Sequence, residues 1–146
     1  MGRGVIIMEK IYSKIKPEIL LHVINRKEEI TCQRQDLSPE GEYLQVACFR
    51  MGENKAINPH KHLRQIKATD ITQESWLVLY GKIKIVLYDL DDKIIKESLL
   101  NSGDCLVTFR GGHELIVLEE GTIIYEHKTG PYQGKEKDHT FIDKKF

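Results

Sequence analysis

The run Lys82-Ile83-Lys84-Ile85-Val86-Leu87-Tyr88 is followed by Asp89-Leu90-Asp91-Asp92 and then by Ile94-Ile95. Ile83, Ile85 and Leu87 alternate with other side chains, which is the period of a strand with one buried face. The acidic stretch after them is typical of a loop between two strands. The pattern therefore predicts an antiparallel hairpin, and it decides the fold class.

Short apolar runs separated by Gly, Asn or Asp continue on both sides of this hairpin. The predicted strands cover residues 43–50, 58–62, 76–80, 82–88, 94–99, 105–109, 114–118 and 122–127. A second hairpin is predicted to turn at Glu119-Glu120-Gly121. Many short strands with few helices predict an all-β fold, either a double-sheet jelly roll or a small barrel.

The beginning of the chain is less regular. The stretch from Pro17 to Ile24 fits either a short helix opened by Pro17 or a buried strand, and a run this short leaves both open. We therefore expect a short, irregular or helical N-terminal extension, residues 1–41, that packs on a barrel domain of residues 42–146.

Composition narrows the class of protein. Lys and Arg together number 22, as do Asp and Glu, so we expect no nucleic-acid partner. Few apolar residues precede Glu9, too few for a signal peptide or a membrane span, which predicts a cytoplasmic protein without a membrane partner. The three cysteines, Cys32, Cys48 and Cys105, are odd in number and are predicted to be free thiols.

The stretch Pro59-His60-Lys61-His62 is a candidate metal-binding site. Side chains at i and i+2 of a strand share one face, so His60 and His62 could bind one metal ion. Glu74 and His113 stand near two further strand runs. Imidazole and carboxylate together suit Zn, Fe, Mn or Ni.

These residues resemble the motifs of the cupin family. Gly52, His60, His62, Glu74 and Gly81 are similar to its first motif, and Gly103-Asp104, Gly111 and His113 to its second. The stretch from Leu118 to Tyr132 is similar to the end of WbuC-type cupin-fold metalloproteins, which are associated with bacterial surface-polysaccharide gene clusters.

The resemblance implies a cupin-type double-stranded β-helix, a jelly-roll barrel that holds a divalent metal ion. It implies four metal ligands, His60, His62, Glu74 and His113. Residues 63–73 lengthen the connection before Glu74, so this carboxylate is predicted either as a ligand or as a proton-transfer group. Tyr80 is a second candidate for proton transfer.

Four further side chains are predicted to contact a substrate: Lys61, Arg64, Trp76 and Arg110. An indole can stack on a sugar ring, and a guanidinium can bind an anion with two hydrogen bonds. The resulting hypothesis is a metal-dependent isomerase or epimerase acting on a nucleotide-linked or phosphorylated sugar in surface-polysaccharide biosynthesis. A non-catalytic carbohydrate-binding or regulatory cupin and an iron-dependent oxygenase stay open as alternatives, and a homodimer is expected.

Overall fold

The computed structural model describes residues 8–31 and 33–143. Its strands are Glu9–Tyr12 (β1), Leu20–Asn25 (β2), Gln35–Asp36 (β3), Ala47–Cys48 (β4), Glu74–Tyr80 (β5), Lys82–Tyr88 (β6), Ile94–Asn101 (β7), Cys105–Thr108 (β8), Gly112–Val117 (β9) and Ile123–Lys128 (β10). A 3-10 turn covers Lys27–Glu29, and a short α-helix (α1) covers Lys135–Asp138. No helix in these ranges has the length and apolar character needed to cross a membrane.

The strands form antiparallel sheets. One sheet has five strands in the order β1-β2-β8-β5-β10, another has three in the order β7-β6-β9, and β3 pairs with β4. The all-β prediction is therefore confirmed. Across the described residues the sheets remain separate, without a continuous ring of hydrogen-bonded strands that would close a barrel.

The core lies between the two larger sheets. The alternation in β6 buries Ile83, Ile85 and Leu87 completely, and these side chains pack with Trp76 and Leu106 from the five-stranded sheet. The predicted hairpin is present, because β6 pairs with β7 in antiparallel register from Lys82 opposite Asn101 to Tyr88 opposite Ile94. Burial of these apolar side chains between the sheets stabilises the arrangement.

The N-terminal part of the chain supplies two strands of the five-stranded sheet. All residues of Leu20–Asn25 are buried, and β2 lies between β1 and β8. The sequence left open a short helix or a buried strand for this stretch, and the structure shows the buried strand. A strand buried on both faces reads as a continuous apolar run, which is why alternation could not identify it.

The predicted strand at residues 58–62 is wrong. Residues 49–73 contain no strand, and residues 49–70 are exposed throughout. The stretch Asn58-Pro59-His60-Lys61-His62 has no apolar face to bury, and Pro59 lacks an N–H for a sheet hydrogen bond. The strand predicted at residues 43–50 is present only as Ala47–Cys48.

The second predicted hairpin is also wrong. The turn at Glu119-Glu120-Gly121 connects β9 to β10, but β9 pairs with β6 whereas β10 pairs with β5. The chain therefore passes from the three-stranded to the five-stranded sheet at this turn. This crossing brings β9 and β10 to opposite sides of one space between the sheets.

Candidate functional site

A cavity of about 780 Å³ opens at one end of the space between the sheets. The apolar core fills the remainder of that space, so the cavity is where polar side chains of both sheets meet. Its strand-borne lining residues are Glu74, Trp76, Thr108, Gly112, His113, Glu126 and Lys128. Residues 69–72, 110–111 and several residues between 129 and 142 complete the walls.

Sheet register places the polar side chains of the five-stranded sheet on one face. Glu74 lies opposite Lys128 of β10 and opposite Thr108 of β8. Trp76 lies opposite Glu126. Residues directly opposite in a sheet share a face, so the alternation of β5 and β10 directs these carboxylates and cations into the cavity.

His113 approaches from the other sheet. Its Nε2 lies 3.6 Å from Oε2 of Glu74, and its ring meets the Trp76 ring edge to face with centroids 4.5 Å apart. Nδ1 of His113 is buried and has no hydrogen-bond partner among the described residues. Nε2 therefore faces a carboxylate, whereas Nδ1 makes no hydrogen bond with the described residues.

Glu74 is held as a carboxylate. Its Oε1 accepts a 2.6 Å hydrogen bond from Nε1 of Trp76. Burial acts to raise the pKa of Glu74, but the interactions with His113, Glu126 and Trp76 outweigh it and lower the pKa to about 2. Glu74 is consequently ionised at neutral pH and is a weak base.

Further charges continue along the cavity wall. Nε1 of Trp76 also lies 3.3 Å from Oε2 of Glu126. Lys128 forms ion pairs of 3.5 Å with both Glu126 and Asp138. Asp138 accepts a hydrogen bond of 3.1 Å from the Thr72 hydroxyl, which fastens the C-terminal segment over the cavity.

Behind the cavity wall lies His22, which is fully buried in β2. Its Nε2 is 3.3 Å from the Tyr88 carbonyl, and its Nδ1 is 3.1 Å from Oγ1 of Thr108. Since a carbonyl only accepts, Nε2 carries the proton and Nδ1 accepts from the hydroxyl. Burial, as the largest cause, lowers the pKa of His22 to about 4, so this histidine is a neutral structural residue.

Four residues predicted from the sequence line the cavity: Glu74, Trp76, Arg110 and His113. Arg110 is already engaged, because its Nη1 donates a 2.7 Å hydrogen bond to Oε1 of Glu42. Tyr80 does not line the cavity. It lies at the far end of β5 with 53% of its surface exposed, so its predicted part in proton transfer is not supported by its position.

His60, Lys61, His62 and Arg64 lie in the exposed irregular segment and do not line the cavity. Nδ1 of His60 is 2.8 Å from the Asn58 carbonyl, and the His60 and His62 rings are 5.3 Å apart. Among the described residues, no three His, Cys, Asp or Glu side chains are grouped to hold a metal ion. The four predicted ligands are therefore not brought together in this structure, because Glu74 and His113 line the cavity whereas His60 and His62 lie outside it.

Sequence reasoning missed Glu126, Lys128 and Asp138. For Glu126 and Lys128 a signal was present, because both alternate with the outward Tyr125 and His127 in a strand. Charged residues at two successive inward positions interrupt the apolar face expected of a core strand. For Asp138, which follows the strands in α1, we find no such signal.

No protein-family model, curated protein sequence or solved structure matches this chain.

Proposed function

We propose that this chain binds a carbohydrate in the cavity between the sheets and catalyses an isomerase- or epimerase-type proton transfer on it. The observation that carries the proposal is the pairing of His113 with ionised Glu74 beside Trp76, inside a cavity of about 780 Å³. Cavities of about 300–1,000 Å³ are typical of sites for small molecules. Polar groups on several walls suit a ligand with many hydroxyl groups.

The chemistry is proton transfer next to a carbonyl group. Nε2 of His113 would take a proton from the carbon beside the carbonyl, which breaks the C–H bond and leaves an enolate, because the other ring nitrogen, Nδ1, is buried. Ionised Glu74, 3.6 Å from Nε2, would stabilise the imidazolium, as a carboxylate does beside a catalytic histidine. Return of the proton from His113 to the neighbouring carbon, with transfer of a proton between the two oxygens of the enediol, would give an isomer. Protonation of the enolate by water on the opposite face, followed by loss of the His113 proton to solvent, would give an epimer.

The proposal extends to the fold of the chain. Facing antiparallel sheets joined by a chain crossing at residues 119–121 support a cupin-type double-stranded β-helix. The divalent metal, the homodimer, the cytoplasmic location and the link to surface-polysaccharide biosynthesis stay predictions from the sequence. The free thiol of Cys105 supports a reducing compartment.

Binding can be measured directly, because Trp76 is the chain's single tryptophan and it lines the cavity. Sugars that bind there are expected to change its fluorescence. Turnover can be measured by NMR, as uptake of deuterium from solvent at the carbon beside the sugar carbonyl.

The matched variants are His113→Gln and, as a control, His127→Gln, whose side chain is exposed outside the cavity. Deuterium uptake is expected to disappear in the first and to continue in the second. Uptake that survives in His113→Gln would overturn the proton-transfer role. Binding without any uptake in the unmodified protein would favour the non-catalytic carbohydrate-binding alternative.

A further inference from the structure

Two of the three lysine and arginine side chains that line the cavity are already paired with carboxylates. Lys128 lies 3.5 Å from both Glu126 and Asp138. Arg110 lies 2.7 Å from Glu42, whose other oxygen accepts a 2.6 Å hydrogen bond from Gln73. A phosphate entering the cavity would have to compete with these carboxylates for both Lys128 and Arg110.

Carboxylates also outnumber cations in the lining. Asp70, Glu74, Glu126 and Asp138 are four acidic residues, against the three basic residues Arg110, Lys128 and Lys137. Glu42, the partner of Arg110, adds a further negative charge beside the wall. The field in the cavity therefore disfavours an anion and favours a neutral or positively charged ligand.

The excess negative charge is concentrated beside Trp76. A single indole N–H lies 2.6 Å from Glu74 and 3.3 Å from Glu126, and Glu74 also faces Nε2 of His113. The ammonium group that pairs with Glu126 belongs to Lys128, which is shared with Asp138. Three carboxylates therefore surround one ammonium group and keep acceptor sites unfilled. Glu126 retains 49% exposure of its side chain and is accessible to a ligand. An ammonium group has three N–H donors and forms strong, charge-assisted hydrogen bonds with carboxylates.

We infer that the ligand of this cavity is an amino sugar, whose protonated amine lies between Glu74 and Glu126. The inference rests on the proposed carbohydrate function and names its substrate class. It departs from the phosphorylated or nucleotide-linked sugar expected from the sequence. That expectation depended on Lys61 and Arg64, which lie outside the cavity, and on Arg110, which Glu42 engages.

The test compares sugars that differ at one position. Glucosamine, galactosamine and mannosamine are each titrated against Trp76 fluorescence at neutral pH and low salt, beside glucose, galactose and mannose. Glucose 6-phosphate represents the anionic class. At least one amino sugar is expected to bind about tenfold more tightly than its neutral partner, as a charge-assisted hydrogen bond would give, and glucose 6-phosphate is expected to bind most weakly.

Glu126→Gln keeps the shape of the side chain and removes its charge. It is expected to weaken binding of the amino sugar about tenfold more than binding of the neutral sugar. Glu120→Gln is the control, because Glu120 is exposed in the turn outside the cavity. Thermal unfolding of both variants confirms that each is folded.

The outcomes separate the two proposals. Equal affinity for the amine and its neutral partner, tighter binding of the phosphate, or no effect of Glu126→Gln would each overturn the amino-sugar inference while leaving carbohydrate binding in place. Failure of every sugar to bind would overturn the proposed carbohydrate function together with this inference.

Discussion

Replacement of His22 by Gln is expected to remove most of the acid sensitivity of folding between about pH 7.5 and about pH 4.5. His22 is fully buried and neutral in the folded state. Its pKa is lowered from 6.5 to about 4, by burial first and by the nearby His113, against the opposing effects of the Tyr88 carbonyl and Asp89. An exposed imidazole in the unfolded chain takes up a proton first, so acid favours unfolding.

The direction and magnitude of the pH effect follow from the difference between the pKa of His22 in the unfolded and in the folded chain. The contribution of neutral His22 to the free energy of unfolding is fully present above pH 6.5. It decreases as the pH falls from 6.5 to about 4, and it then levels off. One pH unit corresponds to about 1.4 kcal/mol, so the whole interval accounts for about 3 kcal/mol and the part above pH 4.5 for about 2.5 kcal/mol. Glu74 acts in a separate window, because its pKa is lowered from 4.5 to about 2 and its stabilisation is lost only below pH 4.5.

The assay is urea unfolding, followed by far-UV circular dichroism, at the two pH values. The unmodified protein is expected to lose about 2.5 kcal/mol more than His22→Gln on going to the lower pH. His62→Gln, which alters an exposed histidine, is the control and should behave like the unmodified protein. An equal loss of free energy in His22→Gln and in the unmodified protein would show that His22 is not held neutral by burial.

Gly111→Ala is expected to destabilise the fold by at least about 2 kcal/mol in urea unfolding, because φ at Gly111 is +80° and an added Cβ would lie 2.4 Å from the Tyr88 carbonyl oxygen. Gly41→Ala, where nothing lies within 4 Å, is the control, and equal effects of the two changes would contradict this account. Burial raises the pKa of Cys105 to about 12, so the thiol is expected to react with iodoacetamide only after unfolding; labelling in the folded protein would show that the thiol is accessible.

The strand pattern was largely readable from the sequence. Lys82–Tyr88 was predicted with its observed bounds, and the strands from Glu74 to Lys128 differ from the prediction only near their ends. Strand identity is local, since alternation records which side chains face the core. The antiparallel hairpin β6–β7 was equally readable, because its strands are joined by a short loop.

The partners of the other strands were decided by the tertiary structure. The turn at residues 119–121 has the residues of a hairpin, yet it sends β10 to β5 in the other sheet. Sheet pairing depends on contacts between distant parts of the chain, and a local turn signal does not contain them. The irregular segment at residues 58–62 shows the converse, because its polar residues lack the apolar face that would join them to a sheet.

The sequence by itself determined the all-β class, most of the strands, and Glu74, Trp76, Arg110 and His113 as cavity residues. The tertiary structure alone decided which groups meet them. Glu126 and Lys128 reach the cavity because β10 pairs with β5, and Glu42 engages Arg110 from 68 residues away. The charge of a site is a sum over side chains that folding brings together, so the sequence pattern suggested an anion where the assembled carboxylates favour an amine.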